Sequence, residues 1–290
     1  MKETIAVSFS GGRTSAYMCW WLITNYSDKY NFIFIFANTG LEHEKTLEFV
    51  DQCDREFMLN LVWVEAVVHE GRKGCTHKIV NFAAASRNGE PFEEVIKKYG
   101  IPNQDYPHCN RELKLSPMNS YLRENFKARP VFAIGIRADE LDRINPEYAS
   151  KKLVYPLAFW HPTTKEEVRH WWKDQVFDLE IPEHHGNCVT CWKKSERKLL
   201  TIAKHEPERF NFFNRMEVLY SLSGAQIFDD DGEPIPRKFF RKYRTTSDII
   251  AASKQPFVEF VDYLPELQLG LFNDLDAAGG CSESCDVYSD

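Results

Sequence analysis

Apolar positions in the first half of the chain come in blocks rather than in strict alternation with polar ones. Continuous apolar runs predict four buried strands, at residues 4–9, 31–37, 61–64 and 131–136. Residues 16–23 and 43–58 between them have the composition and spacing of helices. Strands that are apolar throughout and separated by helices are typical of a parallel sheet covered on both faces. The pattern therefore predicts an α/β fold.

The second half of the chain has a different pattern. A helix is predicted to begin at Thr163 or Thr164, with Glu166 completing a capping box. The remainder indicates mainly helices and ends in a polar, glycine-rich tail. We therefore divide the chain into a sheet domain at residues 1–180 and a mostly helical extension at residues 181–290, which begins with a cysteine-bearing loop.

Polar segments follow three of the four predicted strands at the point where each strand ends. They are residues 10–15 after the first strand, 38–42 after the second, and 137–140 after the fourth. Ligands of such sheets bind beyond the carboxyl ends of the strands, where the strand order reverses. Each segment alone is compatible with an ordinary loop. Three of them at one edge indicate a ligand site.

The first of these segments, Ser-Gly-Gly-Arg-Thr-Ser, has the composition of an anion site. Adjacent Gly11 and Gly12 allow a sharp turn that brings backbone N–H groups close to a phosphate. The helix that follows adds its dipole and first-turn amides. The segment lacks the Gly-Lys-Ser/Thr of a Walker motif and the spaced glycines of a dinucleotide fingerprint. A simple turn between strand and helix is the alternative interpretation.

Composition and charge narrow the classes of function. The chain has 290 residues and a net charge of −7, which argues against a basic surface for nonspecific nucleic-acid binding. No apolar run approaches the roughly 18 residues of a membrane span, and the first residues do not resemble a signal peptide. We therefore expect a cytoplasmic protein without membrane contact. Its eight cysteines are then reduced, metal-bound or redox-active.

Four cysteines are candidate metal ligands. Cys188 and Cys191 form a Cys-x-x-Cys pair, a spacing that lets two thiolates bind one metal from a single turn. Cys109, preceded by His108, and Cys75 are the other candidates. Three or four thiolates from separated loops suit an iron–sulfur cluster, and three with a histidine suit either a cluster or zinc. A structural zinc clip and thiols without a metal are the alternatives.

The other four cysteines divide between the predicted core and the tail. Cys19 and Cys53 fall on helix patterns and are predicted to pack in the core. Cys281 and Cys285 lie in the polar tail, where thiols on an exposed arm are able to carry sulfur or electrons to an active site. A tail without such a role is the other interpretation.

These motifs resemble those of the phosphoadenosine phosphosulfate (PAPS) reductase-like proteins of bacteria and phages, within the PP-loop superfamily of adenine-nucleotide alpha-hydrolases. The resemblance is carried, in order, by residues 10–15, 38–40, 108–109, 113–117, 135–140, 155–157 and 186–194. It extends over roughly residues 4 to 205. The first motif resembles the PP-loop, Ser-Gly-Gly-x-Asp-Ser, which holds pyrophosphate in ATP pyrophosphatases. Thr14 stands here in place of the Asp.

The resemblance implies a Rossmann-like parallel sheet flanked by helices, with residues 1–180 as an adenine-nucleotide-binding domain. Backbone atoms at the end of the second strand would read the adenine, the PP-loop would hold the phosphates, and Arg137 would bind phosphate. The implied nucleotide-binding residues are Ser8, Ser10, Gly11, Gly12, Arg13, Thr14, Ser15, Ala37, Asn38, Thr39, Gly40 and Arg137. ATP with Mg²⁺ is the implied ligand.

The resemblance also implies catalytic and cluster-binding residues. The implied catalytic residues are Arg137, Cys109 and Lys114. Iron–sulfur members of the family have cluster ligands at the positions of Cys109, Cys188 and Cys191, so an iron–sulfur cluster is implied, with zinc as the alternative. Adenylyl-sulfate reductases have a second cysteine where this chain has His108. Three cysteines would leave one iron open to a sulfur ligand, as in tRNA-thiolating relatives.

Three functions are compatible with these motifs. In the first, an acceptor oxygen attacks the α-phosphate of ATP, pyrophosphate leaves, and sulfur then displaces AMP. The second is a thiol-dependent sulfonucleotide reductase that makes sulfite from PAPS with Cys281 or Cys285 as nucleophile. The third is a non-catalytic adenine-nucleotide-binding module. The intact Ser-Gly-Gly favours the first, because reductases hold no pyrophosphate and their PP-loop is degenerate.

A nucleic acid is a candidate acceptor in the first function, with a sulfur-donor protein as a further partner. Basic residues cluster beside the Cys-x-x-Cys pair, and residues 237–244 interleave basic with aromatic side chains. The basic cluster consists of Lys193, Lys194, Arg197 and Lys198. Such stretches are able to track a phosphate backbone and stack bases. For residues 237–244 we favour the alternative, an amphipathic helix with a solvated basic face.

Overall fold

A computed structural model describes residues 2–262 of the chain. Its strands are β1 (Glu3–Ser8), β2 (Tyr30–Ala37), β3 (Val62–Val67), β4 (Thr76–Val80), β5 (Val131–Ala133) and β6 (Leu153–Val154). They form one sheet in the order β4-β3-β2-β1-β5-β6. Neighbouring strands are parallel except for β3 with β4. The predicted α/β, Rossmann-like fold is confirmed.

The strand order reverses at β1. From β1 the chain adds β2 and β3 on one side and later returns to place β5 on the other, so that Val7 has Phe34 and Ala133 as its neighbours. The loops that follow β1 and β5 therefore leave the same edge of the sheet side by side. This is where open α/β sheets bind their ligands. The topology thus brings residues 10–15 next to Arg137.

β4 is an edge strand that the apolar pattern did not predict. It runs antiparallel to β3, with Trp63 opposite Val80 and Glu65 opposite Lys78. Its sequence, Thr-His-Lys-Ile-Val, contains no apolar run, and every residue of the strand is at least partly exposed. Edge strands need not be apolar on both faces, because part of their surface meets solvent. The sheet is therefore parallel as predicted except at this edge, where β4 adds an antiparallel strand.

Helices cover both faces of the sheet. Within residues 2–262 the α-helices are α1 (Arg13–Tyr26), α2 (Glu44–Phe57), α3 (Glu90–Tyr99), α4 (Ser116–Asn125), α5 (Lys165–Lys173), α6 (Glu196–His205), α7 (Asn211–Tyr220) and α8 (Thr246–Ala252). Leu22, Phe49 and Trp172 bring α1, α2 and α5 into the core on one face. Met118 and Leu122 bring α4 into the core on the other. The two helices predicted from the first half are confirmed as α1 and α2.

A third core joins the later helices to the edge of the sheet. Phe92, Leu199 and Phe213 bring α3, α6 and α7 together there, and Cys75 and Val189 belong to the same cluster. The loop that contains the Cys-x-x-Cys pair is therefore packed against the C-terminal helices. The division of the chain near residue 180 stays a prediction.

α5 begins with a capping box one residue later than predicted. Thr164 Oγ1 accepts from the backbone N–H of Glu167 at 3.3 Å, and the Glu167 carboxylate accepts from the backbone N–H of Thr164 at 2.7 Å. The box therefore pairs Thr164 with Glu167, and the assignment of Glu166 was wrong. Both glutamates fit the sequence pattern three residues after a threonine, and only the backbone geometry separates them.

The C-terminal part is helical only in segments. α6, α7 and α8 agree with the prediction, but residues 221–240 contain no helix and are followed by a short 3₁₀ turn, Arg241–Tyr243. The amphipathic helix favoured over residues 237–244 was wrong, because Phe240 and Arg244 exchange two backbone hydrogen bonds across a tight turn. None of the helices between residues 2 and 262 is long and apolar enough to cross a membrane.

Candidate functional site

The loop after β1 is shaped by its own hydroxyl groups. Ser15 Oγ donates to the Gly12 carbonyl at 3.0 Å and accepts from the backbone N–H of Ser10 at 3.1 Å. The Ser10 hydroxyl lies 2.9 Å from Ser15 Oγ and donates to it, because the Ser15 proton is already engaged. α1 begins directly after Gly12. The loop therefore presents a helix N-terminus, where N–H groups and the dipole favour an anion.

Gly11 is required by the path of this loop. Its φ is +84°, and a Cβ atom at this position would lie 2.8 Å from Thr46 Cγ2 and 3.2 Å from Val50 Cγ2. The left-handed backbone and the close approach of α2 both exclude a side chain. Gly12, with φ −99° and ψ 162°, has an extended conformation that other residues also adopt. Of the two glycines, Gly11 makes the turn.

Arg137 lies directly against this loop. Its side chain is 5% exposed and donates from Nη1 to Thr14 Oγ1 at 2.9 Å. Asp139 Oδ1 accepts from Arg137 Nε at 2.9 Å, and Glu140 Oε2 lies 3.3 Å from Nη2. Burial raises the pKa of the Asp139 carboxyl, but the Arg137 guanidinium outweighs burial, and the net pKa is lowered. A guanidinium oriented in this way beside a helix N-terminus is suited to phosphate.

Arg13 anchors a neighbouring segment to the loop. Its Nε and Nη2 atoms donate to the two carboxylate oxygens of Asp178 at 2.6 and 3.0 Å, and Nη2 also donates to the Leu179 carbonyl. Such a bidentate pair fixes both position and orientation. Arg13, predicted to contact nucleotide, therefore has a carboxylate partner in the protein and holds residues 178–187 beside the loop.

A cavity separates the loop from this segment. It is lined by Gly11, Gly12, Arg13, Thr46, Leu179, Ile181, Pro182, Glu183, Gly186 and Asn187. Glu183 is surrounded by Lys165 at 2.8 Å and by Arg169 and Lys198, both at 3.2 Å. Burial raises the pKa of the Glu183 carboxyl, but Lys165 and Lys198 outweigh it and hold the pKa at about 2. Sequence analysis missed this group because its members form no local motif.

The loop after β2 is held by a buried carboxylate that sequence analysis also missed. Asn38 is fully buried, and its Nδ2 donates to Glu65 Oε1 at 2.6 Å and to the Ser86 carbonyl at 2.9 Å. Asn38 Oδ1 accepts from the backbone N–H of Gly40 at 3.2 Å. Glu65 is itself fully buried. The Asn38 side chain therefore shapes the loop through hydrogen bonds within the protein.

The other predicted nucleotide-binding residues lie at the same edge of the sheet. Ser8 and Ala37 are the last residues of β1 and β2, and each is 5% exposed. Gly40, with φ +82°, accepts at its carbonyl from the N–H of Gly89 at 2.9 Å. A Cβ at Gly40 would lie 3.1 Å from the Gly89 backbone, so this close approach also requires glycine. The structure therefore brings the predicted set together along the ends of β1, β2 and β5.

Thr39 connects the loop after β2 with the cysteine pair. Its Oγ1 donates to Glu42 Oε1 at 2.8 Å and lies 3.2 Å from Cys188 Sγ. Because a threonine hydroxyl has one proton, the Cys188 thiol is the donor in the second contact. Glu42 and Cys188 also form an isolated β-bridge, and the Val189 N–H donates to the Leu41 carbonyl at 3.3 Å. The cysteine pair is thus docked on the end of β2.

Three of the four candidate metal ligands line one cavity. The lining residues are Thr39, Phe92, Cys109, Asn110, Leu113, Lys114, Cys188, Cys191, Trp192, Lys193 and Phe213. Lys114 is 9% exposed and belongs to a π-helical turn, Arg111–Leu115, a feature that is frequent at functional sites. The fold therefore brings Cys109 and Lys114 to the Cys-x-x-Cys pair, from which they are distant in the sequence.

Cys75 and His108 are placed elsewhere. Cys75 is not among the residues that line the cysteine cavity, and burial together with the nearby Glu112 carboxylate raises the pKa of its thiol to about 12. His108 Nε2 lies 3.1 Å from the Gly100 carbonyl. Burial, with a contribution from Arg237, lowers the pKa of His108 to about 4, so the neutral imidazole donates to that carbonyl. Neither residue is among those that line the cavity with the other three cysteines.

A zinc ion and an iron–sulfur cluster make different demands on the cysteine cavity. Within residues 2–262 no three His, Cys, Asp or Glu side chains are arranged to hold one metal ion. A tetrahedral zinc site needs sulfur atoms about 4 Å apart, because each Zn–S bond is about 2.3 Å long. Cluster thiolates bind separate irons and stand further apart. Among the described residues, Trp192 Nε1 is buried without a hydrogen-bond partner at this cavity, and such a donor suits a cluster sulfur.

The basic segments do not form the surface track for nucleic acid that was one interpretation of their sequence. Phe239 and Phe240 are buried core residues and are not available to stack bases. Arg244 Nη1 donates to Glu196 Oε1 at 2.7 Å. Lys194 Nζ donates to the Gly186 carbonyl at 2.6 Å, and Lys198 binds Glu183. Most of these cations therefore serve contacts within the protein. Cys281 and Cys285 lie outside the described residues.

Two comparisons bear on the family. Residues 4–79 match the model of the phosphoadenosine phosphosulfate reductase domain. The chain is also 32% identical over 292 residues to an uncharacterized nin region protein, ORF290, of Escherichia phage lambda. That alignment covers 97% of this chain and 94% of the phage protein. The chain belongs to the PAPS reductase-like family. This agrees with the resemblance carried by the PP-loop and cysteine motifs.

More distant relatives of this PAPS reductase-like chain are archaeal. Two uncharacterized proteins of Methanocaldococcus jannaschii are each 27% identical to it, one over 250 residues and one over 167. The alignments cover 82% and 56% of this chain but only 51% and 30% of the archaeal proteins. Among solved structures, the chain is similar to the U34-tRNA thiolase NcsA of Methanococcus maripaludis with its [4Fe-4S] cluster. The match covers 86% of this chain and 80% of the NcsA chain. Its sequence identity is 14% and its TM-score is 0.34.

Proposed function

We propose that this protein is a PP-loop enzyme that uses ATP to activate an acceptor and then introduces sulfur into it. The observation that carries the proposal is the contact between Thr39 Oγ1 and Cys188 Sγ at 3.2 Å. It joins the loop that would read the adenine to the cavity that contains three cysteines. A nucleotide on the PP-loop and a sulfur centre at the cysteines would therefore act on one acceptor between them.

In this proposal the phosphates lie on residues 10–15, with Mg²⁺ accompanying the ATP. Backbone N–H groups at the start of α1 would hold the pyrophosphate half, and Arg137 would bind the α-phosphate as negative charge develops on it. An acceptor oxygen attacks the α-phosphorus, the bond to pyrophosphate breaks, and the acceptor carries AMP. Arg137 is oriented for this by Asp139 and Glu140 before any ligand arrives.

The cysteine cavity would bind the sulfur-transfer centre. Cys109, Cys188 and Cys191 would hold an iron–sulfur cluster, which would supply an iron atom to which sulfur binds before transfer. Sulfur at the oxidation level of sulfide displaces AMP, so a carbon–oxygen bond is replaced by a carbon–sulfur bond without net redox change. A persulfide on a donor protein would need two electrons from a thiol to reach that level. A zinc ion is the alternative occupant.

The acceptor in this proposal is a nucleotide or a nucleic acid. Lys114 and Lys193 both line the cysteine cavity, so two basic side chains lie beside the thiols. Positive side chains at such a site suit a ligand with phosphates. The opening of this cavity would admit one reactive base of the acceptor. It differs in this from an extended basic track along the surface.

Calorimetric titration of the anaerobically purified protein with Mg–ATP and, separately, with PAPS tests the proposal. We expect a clear preference for ATP, and Gly12→Asp should lower ATP affinity at least about tenfold because its carboxylate repels the phosphates. Preference for PAPS would overturn the proposal and indicate a sulfonucleotide reductase. Binding of ATP without pyrophosphate release, with nucleotides and RNA supplied as acceptors, would indicate a non-catalytic module.

A further inference from the structure

Thr46 is a buried residue on α2 that no part of the proposed function uses. It lies in the first turn of the helix and is 2% exposed. Its Oγ1 is shut off from solvent and has no hydrogen-bond partner among the described residues. A buried hydroxyl in that condition is unfavourable unless a ligand or water completes it. Thr46 therefore requires an explanation beyond packing.

The surroundings of Thr46 show where a partner would come from. Its methyl group packs against the loop after β1, since a Cβ at Gly11 would lie 2.8 Å from Thr46 Cγ2. Its backbone N–H donates to the His43 carbonyl at 2.8 Å, as part of the first turn of α2. The side chain lines the cavity that also contains Gly11, Gly12 and Arg13. Thr46 therefore lies between the loop and the cavity, and its hydroxyl is the one group of its side chain that is able to form a hydrogen bond.

A second residue that lines this cavity also has a buried atom without a partner among the described residues, here a carbonyl oxygen that is able to accept but not to donate. Asn187 Oδ1 is also buried without a hydrogen-bond partner among the described residues, and Asn187 is held at φ +59°. Asn187 lines the cavity at the end of the segment that Arg13 anchors. Two residues from unrelated segments therefore line the PP-loop cavity, and each has a buried polar atom without a partner among the described residues.

We propose that Thr46 is a phosphate-binding residue whose hydroxyl donates to an oxygen of the pyrophosphate half of ATP. This inference rests on the proposed function, which places that half of the nucleotide on residues 10–15. The subsite would then be formed by the first turns of two helices, α1 and α2, which meet at Gly11. Hydrogen bonds to a charged phosphate are stronger than those between neutral groups, so this contact would contribute substantially to binding.

Titration with Mg–ATP and with inorganic pyrophosphate, using Thr46→Val and Thr46→Ser, tests this role. Valine keeps the shape of threonine without the hydroxyl, and serine keeps the hydroxyl without the methyl group. We expect Thr46→Val to lose about tenfold or more in affinity for ATP and pyrophosphate, the usual range for a charge-assisted hydrogen bond. Thr46→Ser should retain most of the affinity. The affinity for AMP, which lacks the pyrophosphate half, should not change in Thr46→Val.

A matched control is available at α8. Thr246 is likewise buried in the first turn of a helix but is not among the residues that line this cavity, so Thr246→Val should bind ATP like the unchanged protein. If Thr46→Val binds ATP and pyrophosphate as tightly as the unchanged protein, the hydroxyl serves an enclosed water and the proposal is wrong. If Thr46→Val no longer binds AMP, Thr46→Ala replaces it in the same comparison. Failure of the unchanged protein to bind ATP would instead contradict the proposed function.

Discussion

The two cavities at the carboxyl edge of the sheet have contrasting chemistry. The cavity beside the PP-loop is lined by glycine backbone, and its wall contains Glu183 with three cations around it. The other is lined by three cysteines and by aromatic and aliphatic side chains, with Lys114 and Lys193 also among its lining residues and an exposed surface that is apolar. Charged, hydrogen-bonding walls suit phosphates, whereas thiols in an apolar setting suit soft metals and sulfur. In the proposed function, nucleotide binding and sulfur chemistry would therefore occupy separate cavities that are joined at Thr39.

The cavities also differ in how the chain builds them. The PP-loop, residues 10–15, is a contiguous stretch whose shape comes from hydrogen bonds between Ser10, Gly12 and Ser15. The cysteine cavity needs Cys109 to meet Cys188 and Cys191, which depends on packing between the sheet and the later helices. A change in one cavity should therefore leave the other largely intact. Variants in one cavity test that independence when the property of the other cavity is measured as well.

The largest effect is expected at the cysteine cavity. Cys109→Ala should lower the iron bound per protein at least about tenfold, since loss of a cluster ligand exceeds the usual effect of an outer-shell change. Its ATP affinity should stay within about twofold, because sites without shared partners behave additively. Iron analysis and calorimetry of anaerobically purified protein measure both quantities.

Cys75→Ala is the matched control for this experiment. Cys75 is also buried but does not line the cavity, so this variant should keep its iron. Equal loss of iron in both variants would show that Cys75 is a ligand, contrary to its position beside Glu112. Loss of ATP affinity in Cys109→Ala would show that the cavities are not independent.

The next largest effect is expected at Glu183, the charged centre of the wall beside the PP-loop. Glu183→Gln should lower the free energy of unfolding by about 3 kcal/mol, because three cations lose a buried carboxylate. Denaturant unfolding measures the change. Glu180→Gln is the control. The Glu180 side chain is 76% exposed, and its Oε2 atom lies 3.9 Å from Lys45 Nζ, so this variant should change stability little. A similar loss in both variants would contradict a specific role for the buried carboxylate.

The pH dependence of stability should report the same group. The folded pKa of Glu183 is about 2, below its ordinary value of 4.5, so the unfolded chain binds a proton more readily. The stabilisation is therefore fully present above about pH 4.5 and is lost as the pH falls towards 2. Glu183→Gln should show a shallower decline in this window than the unchanged protein. Parallel pH profiles of the two proteins would count against this assignment.

A smaller effect is expected at Gly11, where the loop meets α2. Gly11→Ala should lower the free energy of unfolding by about 1–3 kcal/mol, because it places a side chain at a left-handed backbone and against Thr46. It should weaken ATP binding while the iron content is unchanged. Gly71→Ala is the control, since a Cβ at Gly71 meets nothing within 4 Å. Unchanged stability and ATP affinity in Gly11→Ala would show that the loop tolerates another path.

Sequence analysis was most successful where a feature depends on neighbouring residues and on the rules of parallel sheets. Arg137 was placed at the ligand edge because it follows an apolar run, and its guanidinium does lie 2.9 Å from Thr14 Oγ1. The same reasoning did not find Glu65, Glu183 or Thr46. Each is an unremarkable polar residue in its own segment and acquires its surroundings from elements that are distant in the chain.

The errors have related causes. β4 was missed because an edge strand need not be apolar on both faces. The basic and aromatic residues 237–244 were interpreted as a solvated helix or a nucleic-acid track, but the third core takes up Phe239 and Phe240. Cys75 was grouped with the other cysteines by residue type alone, and the fold places it beside Glu112. In each case, what a side chain contacts could not be derived from its own segment.

The sequence by itself determined the α/β fold, the glycine-containing loop between β1 and α1 at residues 10–15, and the family. Apolar runs, glycine pairs and motif order are local properties that persist in any conformation. Tertiary structure alone decided that Cys109, Cys188 and Cys191 share a cavity, and that Arg13 binds Asp178. It also decided that Thr46 lines the PP-loop cavity. Those relations join residues far apart in the chain, and they form only when apolar burial packs the helices against the sheet.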